Sequence, residues 1–230
     1  MEAPLLGTVP AWIWVGSAVV AIPVLGVLAA VAYELTKERP ALVVKERGTR
    51  LELWHSPRQP ARTDLVIVPV ATDQMLVAGS ALWVRGATAD QAQRDADPHA
   101  PRNPGEAVLV SGAPGRFKRT ALAVVMDEQK RWSADWVRQS LLQAVSLGRE
   151  HGLAEVLLPD WTPDLMRQPR VQDDLFRKQE AERIAPILVQ ATRSLIGEVA
   201  VVRLWIRDAA VFPVYRDLLN TRAPAQAVAA

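Results

Sequence analysis

Cysteine is absent from the 230-residue chain, which excludes a disulfide scaffold, a thiolate metal site and a cysteine nucleophile. Histidine is scarce. His55, His99 and His151 are too few and too scattered for a zinc site, so neither a metal nor a cofactor is expected. Charge of one sign is lacking as well, because 27 basic and 25 acidic side chains leave only +2. That field is too weak for a nucleic-acid binder driven by bulk charge, and no nucleic-acid partner is expected. No P-loop and no Ser-His-Asp order suggests itself, and the turn Gly112-Ala113-Pro114-Gly115 lacks the pattern of a nucleotide loop.

One absence is local. Residues 11–33 (AWIWVGSAVVAIPVLGVLAAVAY) contain no charged side chain, and at ~1.5 Å per residue they span a ~30 Å hydrocarbon core. Trp12, Trp14 and Tyr33 sit at the two ends, where amphipathic rings favour the headgroup level. Lys37, Arg39, Lys45, Arg47 and Arg50 come after the segment and no basic side chain precedes it, which places the body at the cytoplasmic face of a single-pass cell-membrane protein. The expected partner of 11–33 is therefore the lipid bilayer. The alternative is a signal peptide cleaved after Ala30-Val31-Ala32, with the body exported; Glu2 and the length of the apolar run speak against it.

In composition the chain is otherwise that of an ordinary folded protein, 50% apolar and 23% charged. The expected organisation is a short extracytoplasmic N-terminus (1–10), a transmembrane helix (11–33), a juxtamembrane linker (34–49), an α/β domain (50–220) and a disordered tail (221–230). Strands are predicted over 41–44, 50–54 (with Glu52 facing outward), 65–70, 107–110, 121–126, 156–158 and 199–206. The run LVIVPV at 65–70 has the continuous β-branched character of a buried parallel strand, and Pro69 predicts that its ladder stops or opens there. Helices are predicted from the N-cap Ser133 to Gly152, over 172–195 with a bend at Pro186, and over 212–219. Strands alternating with helices imply a mixed, mostly parallel sheet flanked by helices on both faces.

Three stretches carry a resemblance. GEAVLVSGAPGRFKRTALAVVM (105–126), LGREHGLAEVLLPDWT (ending at Thr162), and 199–206 with the later PVYRDLLN are similar, in order and spacing, to segments of the macro domain. The resemblance covers roughly 50–220. It implies an ADP-ribose-type pocket at the strand ends, and in some members hydrolysis of ADP-ribosyl links. Three elements of that pocket are altered in this sequence. HSPR (55–58) stands where the family has a "GDIT"-like turn. IVPVAT (67–72) stands for "IVNAAN", placing Pro69 and Thr72 at its two asparagine positions. DWTPDLMRQP (160–169) replaces the glycine-rich "STGxYG" loop. A diphosphate cradle needs converging backbone N–H groups on glycine-like backbone; Pro163 and Pro169 have no N–H, and Asp160 and Asp164 add negative charge.

The residues expected to line the crevice at the carboxyl ends of the strands are Thr72, Asp73, Gly79, Ser80, Gly112, Asp160, Trp161 and Thr162, with Arg167 available to pair phosphate. Trp161 is either a stacking platform or a plug filling the pocket. Asp73 and Asp160 are the candidate catalytic acid–base pair if both face the crevice. His151 reads as a helix C-cap and His55 as an exposed turn residue. The expected function is a non-catalytic binding or scaffolding module with a degenerate pocket, whose partner is a membrane protein or a nucleotide-type small molecule. The alternatives are an ADP-ribosyl hydrolase or related phosphoesterase, and a weak sensor of an ADP-ribose-like nucleotide.

Overall fold

The computed structural model describes residues 39–57, 60, 62–73, 87–99, 102–112, 116–166 and 173–221. Among these, the β-branched runs form the strands β1 (Leu42–Glu46), β2 (Thr49–Trp54), β3 (Thr63–Ala71), β4 (Ala107–Ser111), β5 (Phe117–Met126), β6 (Glu155–Pro159) and β7 (Val201–Trp205). They make one seven-stranded sheet in the order β1-β2-β7-β6-β3-β5-β4. The inner strands β2, β7, β6, β3 and β5 are parallel to one another, whereas β1 and β4 close the edges antiparallel. The helices are α1 (Ala87–Ala96), α2 (Ala134–Glu150), the single turn α3 (Thr162–Leu165), α4 (Asp174–Arg193) and α5 (Phe212–Asn220).

Because side chains alternate along a strand, each face of the sheet has its own core. Leu65, Ile67, Ala121, Ala123, Val202 and Leu204 pack with Val137 and Leu141 of α2, Ile184 and Leu188 of α4, and Tyr215 of α5. Val66, Val68, Val70, Leu122, Val124 and Leu157 form the opposite core, which includes Ala96 of α1. The mixed sheet with helices on both faces is the architecture the alternating pattern implies.

The local signals in the sequence hold where they concern helix ends. Ser133 Oγ accepts the N–H of Trp136 at 3.2 Å, and α2 ends at Glu150 with His151 as its C-cap and Gly152 next at φ 69°, the left-handed position that glycine fills without strain. His151 Nδ1 lies 3.0 Å from the carbonyl of Leu147, a capping role. Helix α4 runs through Pro186 without interruption.

Strand β1 is the strand predicted over 41–44 and forms an edge of the sheet. Two local expectations are corrected. Pro69 does not stop β3, which stays in register with β5 through Pro69↔Ala123, with an irregularity only at Val70/Ala71; it is the pairing with β6 that ends early, at Val66↔Leu157. Glu52 does not face solvent. It is buried, with Arg203 Nε 3.0 Å from its Oε2, Arg50 Nε 2.6 Å from its Oε1 and the Trp54 indole N–H donating to Oε2 at 2.9 Å. Alternation alone put it outside; the arginine that neutralises it comes from β7, far along the chain.

Among the described residues no helix is long and apolar enough to cross a membrane. Residues 11–33 and the tail from 222 onward lie outside the described residues.

Candidate functional site

The parallel strands end together at Trp54, Ala71, Met126, Pro159 and Trp205, and the segments after them define the crevice expected of an open α/β sheet. Backbone hydrogen bonds hold this rim. Asp160 N–H donates to the carbonyl of Trp205 at 3.0 Å, Ile206 N–H to that of Trp54 at 2.9 Å, and Arg102 N–H to that of Thr72 at 3.0 Å. The Trp205 indole N–H donates to the carbonyl of Ser56 at 2.8 Å, tying the segment after β2 to the end of β7.

Trp161 occupies the point where β3 and β6 part. Pro159, the last residue of β6, has no N–H for a further ladder bond. Two residues on, the Trp161 indole N–H donates to the carbonyl of Ile67 at 3.3 Å. The ring is 1% exposed and belongs to the core that includes Ile67, Met126, Leu158 and Leu165. At this burial no ring face is open for a base to stack on.

Beside it lies a buried polar cluster. Asp160 Oδ1 accepts the N–H of Thr162 at 2.9 Å and the phenolic O–H of Tyr215 at 3.2 Å. The Thr162 hydroxyl lies 3.1 Å from the Tyr215 oxygen. Burial pushes the Asp160 carboxyl above its usual range, against the hydrogen bonds from Thr162 and Tyr215. Burial and then the neighbouring Asp160 hold the Tyr215 phenol well above its ordinary value.

The two candidate catalytic carboxylates stand in different surroundings. Asp160 turns toward Tyr215 of α5 on the β7 side, whereas Asp73 is exposed and sits 3.7 Å from Lys130 in the turn after β5. Thr72 is half-buried at the rim. Gly112 lies at the other end of the sheet, because β4 runs antiparallel to β5 and Ser111 pairs with Arg119. A Cβ there would come within 2.4 Å of the backbone of Phe117 and Lys118, so this glycine serves a close chain approach and not the crevice. Gly79, Ser80 and Arg167 lie outside the described residues. Among the described residues no group of three acidic or histidine side chains is placed to hold a metal ion.

Two crevice residues escape a reading of the sequence. The His55 ring stacks on Phe212 with centroids 4.6 Å apart, and its Nδ1 is 3.0 Å from the carbonyl of Ile206. A carbonyl only accepts, so Nδ1 carries the proton of this hydrogen bond. Tyr215 is the other, inconspicuous in PVYRDLLN. Its aromatic ring at a buried helical position, with an acid at the end of the preceding sheet, was the available signal.

No protein-family model matches the sequence, and no curated protein matches it either. Solved structures do. The Oceanobacillus iheyensis macrodomain with ADP superposes with a TM-score of 0.61 at 12% identity, covering 78% of this chain and 94% of its own. The Trypanosoma brucei macrodomain in complex with ADP gives 0.55 at 14% identity, with 74% and 68% covered. The macro domain of ganglioside induced differentiation associated protein 2 gives 0.54 at 13%, with 75% and 83% covered. At these identities the likeness is one of fold: the chain carries the macrodomain fold.

Proposed function

We propose that this macrodomain-fold chain is a non-catalytic binding or scaffolding module whose nucleotide-type cleft has been remodelled, held at a membrane by residues 11–33. The observation that carries the reading is the seat of Trp161, buried between the diverging ends of β3 and β6 and bonded to Ile67. An indole buried there leaves no ring face on which a base could stack. The different settings of the two carboxylates, Asp160 buried against Tyr215 and Asp73 exposed beside Lys130, support the same reading, since acid–base work on one bond needs both groups presented to it. The solved macrodomains in complex with ADP make an ADP-ribose-type nucleotide the ligand to test first.

Calorimetric titration of the full chain in detergent with ADP-ribose is the experiment. Silence up to millimolar ligand is the expected result and also removes the sensor reading. Micromolar affinity overturns the remodelled cleft. Anchoring rests on the uncharged run 11–33 and on the five basic residues after it, with the domain on the cytoplasmic side. Carbonate-resistant sedimentation of the full chain tests it, and a mature chain beginning at Tyr33 overturns it in favour of export. Confinement at a surface raises the effective concentration of the domain toward membrane-bound neighbours, which suits a scaffold.

A further inference from the structure

The two ends of the sheet differ in charge. At the amino ends of the parallel strands, opposite the crevice, Lys45 and Arg47 at the β1–β2 turn, Arg62 before β3, Arg116 before β5 and Arg119 within it are exposed, and none has an ion-pair partner among the described residues. The acids of this end are largely engaged. Asp64 is 2.8 Å from Lys118, Glu155 is 2.7 Å from Arg203, and Glu198 pairs with Arg149. Glu46, Glu150 and Asp95 offset these cations among the described residues, and Asp95, which accepts the Ser111 N–H at 3.0 Å, faces Arg119, so Lys45, Arg47, Arg62 and Arg116 carry most of the surplus. Arg47 is displayed by backbone geometry, at φ 46° beside Gly48 at φ 81°, so the tight turn pushes its side chain outward. Close by, Val43 on the free edge strand is 42% exposed, an unusual degree for an aliphatic side chain in this fold.

We infer that this basic amino-end rim, led by Lys45 and Arg47, lies against an anionic lipid surface. The inference rests on the anchoring proposed for residues 11–33. The length of chain suits it. Residues 34–41 span at most about 28 Å when extended, and β1 is about 17 Å long, so a chain leaving the bilayer near residue 33 reaches the start of β1 while the β1–β2 turn touches the headgroups. Within a Debye length of an anionic leaflet each such cation strengthens attachment by about fivefold. The crevice then points away from the membrane, toward soluble or neighbouring partners.

The test uses the full chain in nanodiscs of phosphatidylcholine alone or with phosphatidylserine, read by hydrogen exchange. Expected is slower exchange over 45–50 and 116–119 in the phosphatidylserine discs only, reversed by high salt and absent in the variant K45Q/R47Q/R116Q, with the 127–131 turn at the crevice end unchanged. Equal exchange in both discs, or protection that survives the triple substitution, overturns it. A chain that does not enter discs refutes the anchor instead. Flotation of the same chain with phosphatidylserine vesicles then decides the rim separately: flotation lost in the triple variant supports it, and no flotation, or retention of an oligonucleotide in place of vesicles, overturns it.

Discussion

The indole N–H of Trp161 donates to the backbone carbonyl of Ile67 at 3.3 Å, joining the end of β6 to β3 where the ladder between them has lapsed. One side chain thus satisfies a buried acceptor and fills the volume between two strands. Trp161→Phe keeps most of that volume and loses the hydrogen bond, which costs about 1 kcal/mol. Trp161→Ala opens a cavity and costs about 3–5 kcal/mol. Urea unfolding of the two variants checks the difference, and the alanine variant is the one in which a ligand-sized space should reappear.

Asp160 carries a pH signature. Its carboxyl is raised in the folded state by burial, so the folded protein holds this proton more tightly than the unfolded chain. Its contribution to stability is then fully present below the ordinary carboxylate range and is lost as pH rises through the folded value. Asp160→Asn retains an acceptor for Thr162 and Tyr215 without the charge. The variant should therefore be the more stable protein near neutral pH, and its advantage should shrink as the medium is acidified. Denaturant midpoints measured in parallel from mildly acidic to neutral pH test this; an advantage that grows toward acid contradicts the assignment.

Arg203 is the centre of a buried ionic group. It bonds Glu52 of β2, Glu155 of β6 and the Thr63 hydroxyl of β3 at 3.0, 2.7 and 3.1 Å. Arg203→Met leaves Glu52 charged and without this partner in the interior, and should cost about 3–5 kcal/mol. Removing both partners with Arg203→Met and Glu52→Met should recover much of that loss. A double-mutant cycle by chemical denaturation reads the coupling directly.

Thr120 is fully buried, and its hydroxyl has no hydrogen-bond partner among the described residues. Thr120→Val keeps the shape and removes a desolvated polar atom, so it should stabilise the fold by about 1 kcal/mol. A higher midpoint in thermal unfolding is the expected result.

Gly112→Ala works in the opposite sense. The new methyl would meet backbone atoms of the facing strand at 2.4 Å, and backbone does not yield as a flexible side chain does. A loss of about 1–3 kcal/mol is expected, with no effect on whatever the crevice binds, because the residue lies at the far end.

Local chemistry made much of this fold legible. The run 65–70, the cap at Ser133 and the stop at Gly152 need only neighbouring residues to be understood. What stayed hidden depends on strand direction and on distant pairs. Gly112 comes after a correctly read strand, yet the antiparallel course of β4 carries it away from the crevice. Glu52 obeys alternation, but Arg203 makes its burial tolerable, and nothing near Glu52 in the chain announces that partner. In the site, the order Pro-Asp-Trp after a strand marked Trp161 as important, whereas its inward turn depends on the missing N–H of Pro159, a detail of pairing between strands.

The placing of β7 bears on how the protein is made. The last strand in sequence lies between β2 and β6, so a nascent chain ending before Val201 carries two gaping strand edges at its centre. Non-local closure of this kind is slow, and unpaired edges invite wrong partners. Truncation that removes β7 should thus be far more damaging than its size suggests, yielding aggregated material in place of a shortened domain.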